Sequence, residues 1–261
     1  MVDLIKMDLR RLFHTPMFIV TMLVIAFLNI MMSFGFTWIG RILTPDLGAG
    51  EVEITEVIST PFAGSLFAIG MFASLISFSY ADIANGFVKN LAGQVEHRSY
   101  IIYSKFIVLG VHNFLFLTAG VLSNLLGNVL CSALGYQVLT NNGKIPAAII
   151  TVLLKWMLCM AISAILVFLT NGVRNKTLAT IIGVVIGSGS LGLAYMGLSM
   201  AINNMLKTSD FDVAEYMPDT LMRSVNVAAN TAVVNALIVS IVCTAIFLTI
   251  TVKVFKTRDV K

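Results

Sequence analysis

Asp82-Ile-Ala-Asn-Gly86-Phe-Val-Lys89-Asn-Leu91 opens a polar stretch that runs through Arg98 to Lys105. Apolar runs flank it at 62–80 and 106–132, and each is close to the roughly 20 helical residues that a bilayer crossing takes. A charged connection between two such runs reads as a turn at a membrane surface. Working outward, four more runs follow the same rule, at 17–39, 147–171, 178–202 and 231–252. The period-two alternation of a membrane β-barrel is absent from them. The expected fold class is therefore all-α integral membrane, a six-transmembrane-helix bundle.

Composition agrees. Of 261 residues, 58% are hydrophobic and only 11% are charged, too few polar side chains to clothe a soluble globule of this length. Basic residues set the orientation. With the N-terminus inside, the inner side collects Lys6, Arg10, Arg11, Lys89, Arg98, Lys105, Arg174, Lys176, Lys253, Lys256, Arg258 and Lys261, against Arg41, Lys144, Lys207 and Arg223 outside. Asp46, Glu51, Glu53, Glu56, Asp210, Asp212, Glu215 and Asp219 fall outside. The expectation is a multi-pass protein of the cell inner (plasma) membrane with both termini cytoplasmic. The net charge of +4 then follows from orientation and anionic lipid, and no nucleic acid is expected as a partner.

The first 37 residues carry basic groups before an apolar run, but the run is too long for a signal-peptide core and no small-residue cleavage site follows, so it is kept as a span. Segment 1–16 reads as an amphipathic elbow helix on the membrane, with Leu4, Ile5, Leu9 and Leu12 on one face and Asp3, Lys6, Asp8, Arg10 and Arg11 on the others. Pro16 permits a turn into the first span. Two readings of this leader stand: a solvated amphipathic segment, or an elbow that meets a partner subunit. Segment 17–252 is then the six-span domain, and 253–261 is a cytoplasmic basic tail. The outer connection 203–230 is too apolar for a free loop and should hold short helices dipping into the membrane.

In the third span Asn113, Gly120, Asn124, Gly127 and Asn128 share one face, which should point into protein. In the fifth, Gly183, Gly187, Ser190 and Ala194 form a small-residue stripe suited to close helix packing. Gly187-Ser-Gly189-Ser-Leu-Gly192 matches a dinucleotide fingerprint in form only, because no strand precedes it.

Catalysis finds little support. No serine-hydrolase or zinc-protease motif occurs, no carboxylate lies in the core of a span, and Gly143-Lys144 lacks the rest of a phosphate-binding loop. Cys131, Cys159 and Cys243 are separate and read as packing residues, with no metal site. His112 beside Asn113 reads as a histidine hydrogen-bonded within the bundle. Lys155 is the one basic residue inside a span. It is either an intramembrane functional group or, the favoured reading, a side chain reaching the outer interface beside Trp156.

The leader ending in Arg10-Arg11-Leu-Phe13, six spans with both ends inside, and Asp82 with Gly86, Lys89, Leu91, Arg98 and Lys105 together resemble the membrane (permease) subunit of a bacterial ABC exporter of the ABC type 2 permease family. The likeness is to bacitracin-resistance, lantibiotic-immunity and amphipathic-peptide exporter permeases. Phe87 stands where threonine is common, Asp82 where glutamate is common, and a proline expected near Gln94 or Val95 is missing. Ile83, Phe87, Leu91 and Val95 recur at four-residue spacing, while Lys89, Asn90, Gln94, His97 and Arg98 are polar, an amphipathic pattern. The resemblance makes segment 82–105 a cytoplasmic coupling helix pushed by a separate ABC ATPase (nucleotide-binding) subunit. It implies no cofactor on this chain, with ATP and Mg on the partner, and no enzymatic activity of its own. It also implies a second copy of the chain or a similar permease, the two forming the pathway for an amphipathic or hydrophobic cargo such as an antimicrobial peptide. The rival expectation is a non-transport integral membrane scaffold or sensor that docks a cytoplasmic partner through the same helix.

Overall fold

The computed structural model describes residues 1–43, 50–61, 65–87, 95, 97–207, 211–230 and 232–257. The helices are α1 (Val2–His14), α2 (Pro16–Leu43), α3 (Ile54–Ser59), α4 (Ser65–Ala84), α5 (Ser99–Ala133), α6 (Ile145–Val167), α7 (Lys176–Ser188), α8 (Gly192–Leu206), α9 (Pro218–Ser224) and α10 (Val233–Thr257). A π-helical turn, Phe168–Gly172, prolongs α6, and a 3-10 turn, Val213–Tyr216, precedes α9. Five helices are long and apolar enough to cross a membrane, or six spans if the bent pair α7–α8 counts as one. This is the make-up of an all-α membrane protein.

Local chemistry sets the boundaries. Thr15 is extended because a proline follows it, and Pro16 starts α2 where a helix needs no N–H. Pro146 does the same in the first turn of α6. Gly86 ends α4 at φ +66°, a left-handed conformation that favours glycine. At 35 residues α5 is about 52 Å long, more than a bilayer core requires. Its first turns therefore project past the apolar run, which is why it begins at Ser99 rather than at 106.

The principal packings join α2 to α5, α4 to α7 and α6 to α10, with α1 laid along α5. Phe72, Leu75, Phe116, Leu158, Ile162 and Leu166 form the centre of the core. A smaller cluster of Ile101, Ile102, Val252 and Phe255 brings the end of α10 beside the start of α5, where Asp8 of α1 also meets Ser104, so α1 and the end of α10 lie at one end of the bundle, called here the terminal end.

Three features depart from the sequence reading. The run 178–202 is not one helix: Gly189, at φ +74°, ends α7, and α8 leaves at 82°. Thirteen residues make α7 about 20 Å long, short of a full crossing. Second, the connections opposite the terminal end pair as a two-stranded parallel sheet, β1 (Gly50–Glu53) with β2 (Gln137–Thr140), in the register Gly50 to Gln137. Third, α1 does not merely rest on a surface. Leu4 and Leu12 are buried, and so is Asp8, which the helical pattern had put on a polar face.

The asparagine and glycine face of α5 is covered by protein. Asn29 Nδ2 donates to Ser123 Oγ at 2.8 Å, and Asn124 Nδ2 donates to the carbonyls of Val57 and Thr60 at 3.0 and 2.9 Å. Ser33 Oγ donates to Asn124 Oδ1, while Asn128 is tied to Asn124 and to Gln137. A Cβ on Gly120 would lie 2.5 Å from the Pro61 carbonyl, and one on Gly127 would lie 2.9 Å from Ser33 Cβ. Glycine is what lets α2 and the 54–61 segment approach this closely.

Candidate functional site

At the terminal end, four elements meet around two carboxylates. The last turn of α4 carries Asp82, the first turns of α5 carry Ser104 and Lys105, α1 carries Asp8 and Arg11, and the π turn carries Thr170 and Asn171. Lys105 is only 1% exposed, and its Nζ lies 2.8 Å from Asp82 Oδ2. The same ammonium donates to the Ser79 carbonyl at 2.9 Å and to Asn171 Oδ1 at 3.2 Å. Arg11 Nη2 pairs with the other Asp82 oxygen. One carboxylate thus bridges a cation from α1 and a cation from α5.

A second layer holds these groups in place. Asn171 Nδ2 donates to Ser79 Oγ at 2.7 Å and to Thr170 Oγ1 at 2.9 Å, and the Ser79 and Thr170 hydroxyls are themselves hydrogen-bonded. The π turn is what aims both Thr170 and Asn171 at α4. An extra residue in the turn rotates side chains out of α-helical register, a device that recurs at functional sites. Ser104 Oγ donates to Asp8 Oδ2 at 2.8 Å, and Arg11 Nη1 lies 3.4 Å from Asp8 Oδ1. Burial raises the Asp8 pKa above its ordinary 3.8, the nearby Asp82 adds to the rise, and Ser104, Lys105 and Arg11 oppose it.

Beyond Asp82 the chain turns at Gly86, whose N–H donates to the Ile83 carbonyl, and Phe87 comes beneath Arg11 with 4.6 Å between guanidinium carbon and ring centroid. That cation–π contact attaches the start of the 87–98 connection to α1. The ring contact thus joins Phe87 to α1, and the two ion pairs join Asp82 of α4 to α1 and α5.

Of the residues expected to form a coupling segment, Asp82 and Lys105 meet directly and Gly86 forms the turn beside them. Arg98 is exposed and makes no ion pair among the described residues. Lys89 and Leu91, with most of the expected coupling helix, lie outside the described residues, as do Asp46, Asp210, Arg258 and Lys261. Asp8, Ser104 and Asn171 were missed. Asp8 looked like one more polar residue of an amphipathic helix, and Asn171 like the last residue of a span.

The packing residues are distributed differently from the expectation. Asn113 Nδ2 donates to Ser163 Oγ at 2.7 Å, and His112 is hydrogen-bonded to Ser74 and Asn113. Gly183 and Gly187 face α4, where added Cβ atoms would lie 2.7 Å from Ile76 Cδ1 and 2.8 Å from the Ile69 backbone nitrogen. Ser190 and Ala194 follow the break and are exposed, so the expected four-residue stripe does not exist as one face. Lys155 is buried in protein rather than exposed beside Trp156. It lies ten residues into α6 and is 4% exposed, with no hydrogen bond or ion pair among the described residues. The helix begins at Ile145, well before Trp156, and the indole donates inward to the Gly110 carbonyl.

Groups of three or more potential metal ligands are absent among the described residues, and the cysteines there are free. No protein-family model matches the sequence, and no curated protein matches it either.

Proposed function

We propose that the chain is the permease subunit of an ATP-driven ABC exporter, with both termini cytoplasmic, forming half of the pathway for an amphipathic or hydrophobic cargo such as an antimicrobial peptide. In this reading α1 is the elbow helix, and the connection after Gly86 is the coupling helix that receives the stroke of a separate ATPase subunit. The observation that carries the proposal is the buried Asp82 carboxylate held between Arg11 of α1 and Lys105 of α5. A force delivered to the connection at 87–98 needs a stiff root to reach the spans, and a desolvated ion network is stiff because moving any member strands a charge. The uncovered apolar sides of α2 (Leu23, Phe27, Met31) and α10 (Ile238, Ile241, Val242) leave room for lipid and for a second copy.

The test is affinity purification of the tagged chain from the membranes of its native host in mild detergent. An ATPase bearing a phosphate-binding loop should co-purify in stoichiometric amount, and Gly86→Pro, which cannot keep the positive φ, should lose it while the chain stays in the membrane. A different, non-ATPase cytoplasmic protein in that place would favour the scaffold reading instead.

A further inference from the structure

The end of the molecule opposite the termini carries a two-lobed recess. One lobe, about 430 Å³, lies between α8 and the 211–214 segment and is lined by Met196, Met200, Phe211 and Asp212 among others. The other, about 390 Å³, lies between that segment, α9 and the start of α10, and is lined by Asp212, Glu215, Thr220 and Asn235 among others. Asp212 and Ala214 line both lobes, so they form a shared wall.

The lobes differ in chemistry. At the first, Met196, Met200 and Phe211 are exposed, and the Phe211 ring stacks on that of Tyr216, outside the lobe, at 5.7 Å and 14°. An exposed aromatic stack next to a carboxylate is a surface that attracts cations through the ring faces as well as through charge. Methionine adds an apolar surface that adapts its shape. The second lobe brings the carboxylate of Glu215. Neither Asp212 nor Glu215 has a cationic partner among the described residues. The basic residue of α9, Arg223, is engaged elsewhere: its guanidinium caps the carbonyls of Ile186 and Gly187 at the end of α7. Asp212 is held rigidly, because its Oδ1 accepts from Ser199 Oγ and from the Ala214 N–H, both at 3.0 Å.

We propose that this recess binds a cationic amphipathic peptide, whose apolar side chains enter the Met196–Met200–Phe211 lobe while its ammonium or guanidinium groups meet Asp212 and Glu215. The assignment deepens the exporter reading and rests on it for the direction of transport, but the binding itself needs no ATPase. Charge complementarity selects the occupant: a recess that joins an apolar lobe to two carboxylates with no cationic partner among the described residues suits a ligand with both features within one or two helical turns. The right-angle bend at Gly189 builds the apolar lobe, since it lays α8 across the end of the bundle instead of continuing α7.

The test uses the purified full chain in phosphatidylcholine nanodiscs and a fluorescent synthetic Leu/Lys amphipathic peptide, with the same peptide carrying Glu for Lys as control. Saturable binding above that of empty discs is expected, together with loss of affinity at high salt. Asp212→Asn with Glu215→Gln should weaken binding roughly three- to tenfold, in keeping with two exposed ion pairs. Asparagine keeps the capping acceptor at position 212, so the turn is preserved. Met196→Ser with Met200→Ser, on exposed positions, should weaken it independently. Equal binding to empty discs, equal binding of the Glu peptide, or unchanged affinity in the carboxamide variant would each overturn the proposal and point to lipid partition or to a headgroup site. Peptide binding without any co-purifying ATPase would sink the exporter reading and leave this one standing. An ATPase partner with no peptide binding would do the reverse.

Discussion

Asp82 is the residue on which the terminal end turns, because its two oxygens are shared by cations from different helices. Replacing it by asparagine leaves Lys105 almost fully buried with only neutral acceptors, Ser79 and Asn171. Breaking a buried pair from one side costs about 3–5 kcal/mol. Asp82→Asn should therefore lower stability by that order in thermal unfolding of the detergent-solubilised chain. Lys105→Met added to it should recover more than half of the loss, since no unpaired charge then stays buried; strictly additive losses would show that the pair is not coupled. Asp8 gives a pH signature. Burial raises its folded pKa above 3.8, so the folded chain binds more protons than the unfolded one in the window just above that value, and stability falls as pH rises through it. Asp8→Asn cannot ionise and should gain on the wild type over that same window. Parallel unfolding midpoints for the two proteins across the window would assign the burial effect elsewhere.

At the scale of elements, the contact between α7 and α4 depends on glycine, since Cβ atoms at Gly183 and Gly187 would lie under 3 Å from α4. Leucine at Gly187 would drive into the backbone of Ile69, and overpacking of this kind costs about 1–3 kcal/mol. Gly187→Leu should lower the unfolding midpoint, whereas Leu193→Ile, on the exposed side of α8, should leave it nearly unchanged. Equal midpoints for both would mean that α7 does not pack on α4 in this way. The sequence made the spans legible because hydropathy and length alone decide them. It concealed the bend, because 178–202 is apolar throughout and glycines are common in membrane helices that do not break. What ends α7 is the pairing of Gly189 with Arg223, which stands far along the chain and satisfies carbonyls that the break leaves open. The strands were equally hidden: four residues each are too few for a period to register. In the ion cluster, Asp82 and Lys105 stood out as charges bordering apolar runs, while Asp8 and Asn171 matter only through partners on other helices.

On the scale of the whole molecule, the described basic groups of α1, α5, α7 and α10 gather at the terminal end, and Glu51, Glu53, Glu56, Asp212, Glu215 and Asp219 at the other. The excess of Lys and Arg on one side orients a multi-pass protein with that side inward. In a background without the native cysteines, Glu53→Cys and Asp212→Cys should react with a membrane-impermeant maleimide added to intact cells, and Lys256→Cys should react only after permeabilisation. External labelling at position 256 would invert the molecule.

The parallel pairing of β1 with β2 also dictates an order of assembly. Gly50 emerges early in synthesis, but its partner Gln137 follows only after α3, α4 and α5 have been made. A parallel pair cannot be closed by a tight hairpin, so the strand at 50–53 has to wait with its hydrogen-bonding edge open until the third apolar helix has been threaded across. The sheet is thus a clasp that can fasten only late in synthesis, and a chain ending before Gln137 would leave that strand edge unpaired.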